Sequence, residues 1–258
     1  MQIEVHHVTS AFAACGIKPG HCLMLHADAF PAAQLPGDDL AQRMDKLLDG
    51  VLAALGSDGT LVMPTFSYSA TKGEVFCPAR TPSEVGLLSE HFRQRRGVQR
   101  SKHPIFSVAA SGSLAERFAK TIVEDCFGAD TAFDLLMRHD AWIASLGCSM
   151  DRMTFVHYVE QAHGVTYRYF KKFPFAIEMD GAVEQGWVRY YVRDLERRSG
   201  VALDRLKSRL MSAGVLKVAE IGRAQLLCVR ARDFFTHASE CLDQQENALI
   251  EEGVGEET

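Results

Sequence analysis

Neither a membrane span nor a secretion signal is evident in the chain. No run approaches the roughly 18 apolar residues that a spanning helix needs. The opening residues, MQIEVHHVTSAFAACG, lack a basic start followed by a long apolar core, so no signal peptide is expected. There is no excess of positive charge: 28 Lys and Arg face 33 Asp and Glu, for a net charge of -5 with His neutral. That balance gives no support to nucleic-acid or membrane-surface binding. Seven cysteines, at 15, 22, 77, 126, 148, 228 and 241, form no CxxC pair. An odd, scattered set suggests neither a disulfide framework nor a zinc site, and reduced thiols in a cytoplasm fit best. HExxH is absent and no metal is expected; a GxSxG elbow is also missing, which argues against a serine hydrolase.

What is present is ordinary for a globular protein. Of 258 residues, 47% are hydrophobic and 24% charged. A helix around Thr9–Cys15 ends at Gly16, and the apolar run CLMLHAD follows at strand length. Asp38 or Asp39 can cap a helix through LAQRMDKLLDGVLAALG, and TLVMPTFSYS is a second buried-strand candidate. Continuous apolar strands separated by a helix predict parallel pairing in an α/β sheet. A helix is expected from Pro82-Ser83-Glu84, strands at FSVAASG and AWIASLG, and a helix over TFVHYVEQAHG closing at Gly164. The segments FAIEMDG, GWVRYYVRDL and QLLCVRARDFF read as strands or mixed elements. With no repeat and no linker, residues 1–245 form a single expected domain and 246–258 an acidic, flexible tail.

Several segments carry polar groups where chemistry could occur. His26 and Asp28 end a strand, the end at which open α/β sheets collect ligands. Pro64 should stop the second strand and expose a polar loop at Thr65, Ser67, Tyr68 and Ser69. Arg100-Ser101-Lys102-His103-Pro104 has the charge to bind a diphosphate. On a helix His157 and Glu160 share a face, and the glutamate can fix the imidazole tautomer and raise its pKa, as suits a general base. Alone, each segment is equally compatible with a structural role.

In order, LMLHAD, SDGTLVMPTFS, TPSEVGLLSEHFR, RSKHPIFSVAASG, GADTAFDLL, IASLG and TFVHYVEQ resemble the motif series of the aminoglycoside 3-N-acetyltransferases, over about residues 16–170. The resemblance implies a mixed, largely parallel sheet flanked by helices in three layers. It implies acyl transfer from acyl-coenzyme A to an amine of an amino sugar, with no metal. His157 matches the histidine that acts at the acceptor amine, and Glu160 would orient it. His26, Asp28, Arg100, Ser101, His103 and Ser107 fall in segments that would face coenzyme A. No covalent acyl-enzyme is expected, because no cysteine takes a motif position.

Two departures bear on the acceptor. The HSS-like step of the family is His26-Ala27-Asp28 here, and the SP of its GxxSP loop is Thr131-Ala132. Carboxylates expected after the catalytic helix are Asp194, taken as a second catalytic group, and Glu196. Arg189, Arg193, Arg197 and Arg198 surround them, and YRYFKK at 167–172 adds cations and aromatics. The expectation is therefore a nucleotide-linked amino sugar of surface polysaccharide assembly. The alternatives are an aminoglycoside antibiotic as acceptor, or a non-catalytic coenzyme A-binding scaffold. A homodimer fits an enzyme of this size.

Overall fold

A computed structural model describes residues 3–251. The chain opens with α1 (Val5–Ala14), β1 (Cys22–Ala27), α2 (Phe30–Ala33), α3 (Leu40–Leu55) and β2 (Thr60–Pro64). It continues through α4 (Ser69–Lys72), β3 (Val75–Phe76), α5 (Leu87–Arg93), β4 (Gln99–Arg100), β5 (Val108–Gly112), α6 (Ala115–Ala119) and α7 (Ala132–Arg138). Then come β6 (Trp142–Leu146), α8 (Val156–His163), β7 (Arg168–Met179), β8 (Ala182–Arg193), α9 (Asp204–Ser212), β9 (Lys217–Ile221), β10 (Ala224–Arg230) and α10 (Ala231–Gln244).

Seven strands form the main sheet in the order β4-β5-β2-β1-β6-β10-β9. The three central strands, β2, β1 and β6, are parallel, and the outer neighbours join antiparallel. Burial on both faces explains why the central strands are apolar throughout. Leu23 and Leu25 of β1 point into one core with α1, α3 and α5, while Met24 between them points into the other. That second core also holds Phe127, Phe133, Phe155, Val156 and Phe234, so α7, α8 and α10 cover the opposite face. The result is a three-layer arrangement.

Asp39 caps α3 by accepting from the Gln42 amide at 2.8 Å, as its sequence position predicts. The helix expected from Pro82 starts only at Leu87, because Gly86 takes φ 112°, outside helical space. β7 and β8 form a 12-residue hairpin closed by Asp180-Gly181, both left-handed, the turn that matches strand twist. With β3 this hairpin makes a second, three-stranded sheet.

The tail expected from position 246 is packed for its first residues. Ala248, Leu249 and Ile250 are buried, Ile250 bridges Val201, and the Thr166 amide donates to Glu246 Oε1 at 2.9 Å. An apolar Ala-Leu-Ile run gains more from burial than from fraying. Residues 252–258 of that expected tail lie outside the described residues.

Candidate active site

β1 lies between β2 and β6, and the carboxyl ends of these three parallel strands open a crevice. A cleft of about 480 Å³ sits there. Ala27 ends β1 and Asp28 follows it, Pro64 ends β2 and Tyr68 lies beyond it, and Cys148 follows β6. His157 of α8 lines the same cleft.

α8 is anchored before it starts. The neutral ring of His26 makes two bonds: Nδ1–H donates to the Ala144 carbonyl at 3.3 Å, and Nε2 accepts from the Thr154 amide at 3.2 Å. Burial lowers the His26 pKa to about 4, which keeps this tautomer at neutral pH. Within the helix, Val156, Val159 and Glu160 are buried, and Phe155 packs edge-on against Phe234 of α10. Gly164 ends the helix with φ 77°.

Glu160 is fully buried and held on three sides. His157 Nδ1 lies 2.6 Å from Oε2, the Tyr167 hydroxyl donates to Oε1 at 3.0 Å, and Arg168 Nε lies 2.7 Å from Oε2. Burial pushes its carboxyl upward, but His157, Arg168 and Tyr167 outweigh that and leave it below its usual range. His157 also lies below its usual range: burial contributes most, Arg168 next, and Glu160 opposes both. With Nδ1–H directed at Glu160, Nε2 carries the lone pair. The arrangement is an oriented, uncharged imidazole beside a cleft, which is what a general base requires. An isolated glutamate would have raised the imidazole pKa; the surroundings reverse the sign.

The remaining expected residues divide. Asp28 lines the cleft and accepts the Phe30 amide through Oδ1 at 3.1 Å. His26 borders it, with both nitrogens committed to the backbone as described. Arg100, Ser101, His103 and Ser107 do not line it. Arg100 donates to Ser107 Oγ (3.1 Å), Thr65 Oγ1 (3.2 Å) and the carbonyls of Thr65 (2.5 Å), Pro78 (3.2 Å) and Thr81. Ser101 Oγ accepts the Val108 amide, and Ser107 Oγ donates to the Thr65 carbonyl at 2.7 Å. His103 Nδ1 accepts the Ile105 and Phe106 amides while Nε2 donates to the Asp125 carbonyl. These four groups satisfy backbone that would otherwise be buried without partners.

The polar loop expected after Pro64 is likewise closed: Thr65, Ser67 and Ser69 are buried, and only Tyr68 reaches the cleft, in a left-handed backbone with φ 55°. Asp194 lies just beyond β8, with its amide on the Tyr167 carbonyl and Oδ1 accepting the Glu196 amide. It does not line the cleft, so the second catalytic role expected of it has no support in the geometry.

Four lining residues escaped sequence reasoning. Glu84 pairs with Lys72, Asp151 accepts the Leu203 amide at 2.7 Å, and Arg152 stands beside it. Cys148 is half-buried, and burial raises its thiol pKa, which makes it a weak nucleophile. Asp28, Glu84 and Asp151 thus set three carboxylates against Arg152 along the walls. The cations that favoured a nucleotide-linked acceptor lie elsewhere. Arg168 faces inward onto Glu160, Arg189 is paired with Asp125, and Arg193, Arg197 and Arg198 are exposed outside the cleft.

A protein-family model described as aminoglycoside 3-N-acetyltransferase matches residues 24–243. An aminoglycoside N(3)-acetyltransferase IV from Salmonella sp is 38% identical over 104 residues, 40% of this chain and 37% of that protein. An aminoglycoside N(3)-acetyltransferase III from Pseudomonas aeruginosa is 27% identical over 194 residues, 68% of this chain and 70% of that one. Among solved structures, AAC-IIIb in binary complex with CoASH superposes with TM-score 0.78 at 20% identity, covering 92% of this chain and 95% of that one. The expectation of a nucleotide-linked acceptor finds no counterpart in these matches, and the acidic cleft opposes it. On the family match, which runs through the His157–Glu160 helix, this chain belongs to the aminoglycoside 3-N-acetyltransferase family, whose members are acyltransferases.

Proposed function

We propose that this chain transfers an acetyl group from acetyl-coenzyme A to an amine of a polycationic aminoglycoside. The observation that carries the reading is the buried Glu160 carboxylate 2.6 Å from Nδ1 of a neutral His157 whose ring borders an acid-lined cleft. An ammonium group cannot attack a thioester. The acceptor reacts as the free amine, its ammonium proton having gone to solvent, and His157 Nε2 takes a further proton from that nitrogen as it bonds to the thioester carbon. The tetrahedral intermediate then collapses, the carbon–sulfur bond breaks, and the departing thiolate takes the proton back from His157. Glu160 holds the ring in one tautomer and stabilises the transient imidazolium.

Asp28, Glu84 and Asp151 suit an acceptor carrying several ammonium groups and oppose one carrying phosphates. Asp28 and Tyr68 line the same cleft as His157. The test offers two acceptor classes with acetyl-coenzyme A and follows free thiol release. A kanamycin-type amine should turn over at least about tenfold faster, in kcat/KM, than a nucleotide-linked amino sugar, a difference of about 1.4 kcal/mol. The opposite ranking would return the acceptor to the phosphate-bearing class.

A further inference from the structure

His157 and Arg168 share one oxygen. Glu160 Oε2 lies 2.6 Å from His157 Nδ1 and 2.7 Å from Arg168 Nε, and the carboxylate between them is fully buried. Arg168 is itself buried, with Nη1 donating to the Tyr191 carbonyl at 3.3 Å. Tyr167, the residue just before β7, completes the cluster. Counting formal charges leads to a definite preference. With His157 neutral, Glu160 and Arg168 cancel and the buried cluster is uncharged. With His157 protonated it carries one net positive charge, which low-dielectric surroundings disfavour. Remove Arg168 and the preference inverts: carboxylate and imidazolium then make the neutral pair, and the imidazole is held protonated and useless as a base.

From this geometry we infer that Arg168 is a positioning residue for the transfer step: it neutralises Glu160 from behind, so that the carboxylate can orient His157 without protonating it. The inference builds on His157 acting as the base, but its measurement needs no turnover. It also resolves a chemical conflict built into any buried His–Glu pair, since the group that fixes the tautomer is the one that would otherwise trap the proton. Arg168 opens β7 four residues after Gly164, so the chain that ends the base-bearing helix returns directly to pin it.

Other charged and titratable groups face the ring. Asp151 and Arg152 come from the turn before α8, Asp28 from the end of β1 and Glu84 from the segment before α5. Tyr68, His26 and Cys148 border the same space. Those groups lie on the solvent side of the cleft, where screening weakens them, or are neutral at pH 7. Arg168 acts from inside and is only 3% exposed.

The experiment is an NMR titration of the His157 ring in the free, folded protein, with kcat against pH as a second readout. Arg168→Gln should move the His157 midpoint up by about 1 to 2 pH units, in line with the loss of a nearby positive charge. Its kcat should fall several-fold near pH 6.5 and recover as pH rises past the new midpoint. Arg168→Lys should keep the wild-type midpoint. Should Arg168→Gln fail to fold, Glu160→Gln is compared with Glu160→Gln/Arg168→Gln, which removes both charges together; the double variant should titrate at the higher pH. Equal midpoints in both comparisons would reduce Arg168 to a packing role and overturn the inference. A shifted midpoint in a protein that transfers no acetyl group would leave the inference standing and overturn the proposed function.

Discussion

Two clusters in this molecule are built from the same parts. Each centres on an arginine, each includes a buried histidine with depressed pKa, and each lies close to the carboxyl end of the parallel strands. Around Arg100, most bonds are aimed at backbone: the carbonyls of Thr65, Pro78, Thr81 and Asp125 and the Val108 amide take up the donors and acceptors. Around Arg168, the arginine instead meets a carboxylate, and His157 at the far end keeps one nitrogen toward a cleft. Residue type and burial do not separate a structural polar cluster from a reactive one. What separates them is whether a lone pair remains unused on an open side.

His157→Ala tests that contrast with the largest expected effect. Turnover should fall about 10²- to 10⁴-fold while calorimetric binding of coenzyme A persists. Undiminished turnover would move the chemistry off this ring.

Acid stability probes the likeness rather than the contrast. Burial holds His26 and His103 near pKa 4 in the folded chain, below the ordinary 6.5. Between those values the unfolded chain binds protons that the folded chain refuses, so stability falls as pH drops from 6.5 to 4 and levels off below. Each histidine contributes at most about 3 kcal/mol to that loss. Urea midpoints measured from pH 7 to pH 4 should show the slope, and His103→Gln should remove one share of it. A flat profile would mean these rings are open to water.

The smallest effect is expected from Arg100→Ala. Unfolding free energy should drop by about 2 kcal/mol as buried carbonyls lose donors, with coenzyme A affinity almost unchanged. Lost affinity at unchanged stability would restore Arg100 as a coenzyme contact and erase the distinction drawn above.

Much of this was legible in the sequence. The apolar runs LMLHA and TLVMP gave the parallel strands because burial on both faces forbids polar alternation. His157 and Glu160 were found because helical spacing places i and i+3 together. The motif RSKHP could not be read further, since a dense group of donors looks alike whether it awaits a ligand or holds a turn together. Arg168 misled: within YRYFKK it reads as one surface cation among several, although it is buried against Glu160. Glu84, Asp151 and Arg152 gave no signal, because they come from two connecting segments that only the folded sheet brings to one cleft.

Local periodicity and chain order thus determined the elements, the central strands and the histidine–glutamate pair, all of which depend on neighbours within a few residues. The tertiary structure alone decided which polar side chains face water, which face backbone, and what charge surrounds the acceptor. Those outcomes depend on residues far apart in the chain whose fields and hydrogen bonds combine only across packed layers.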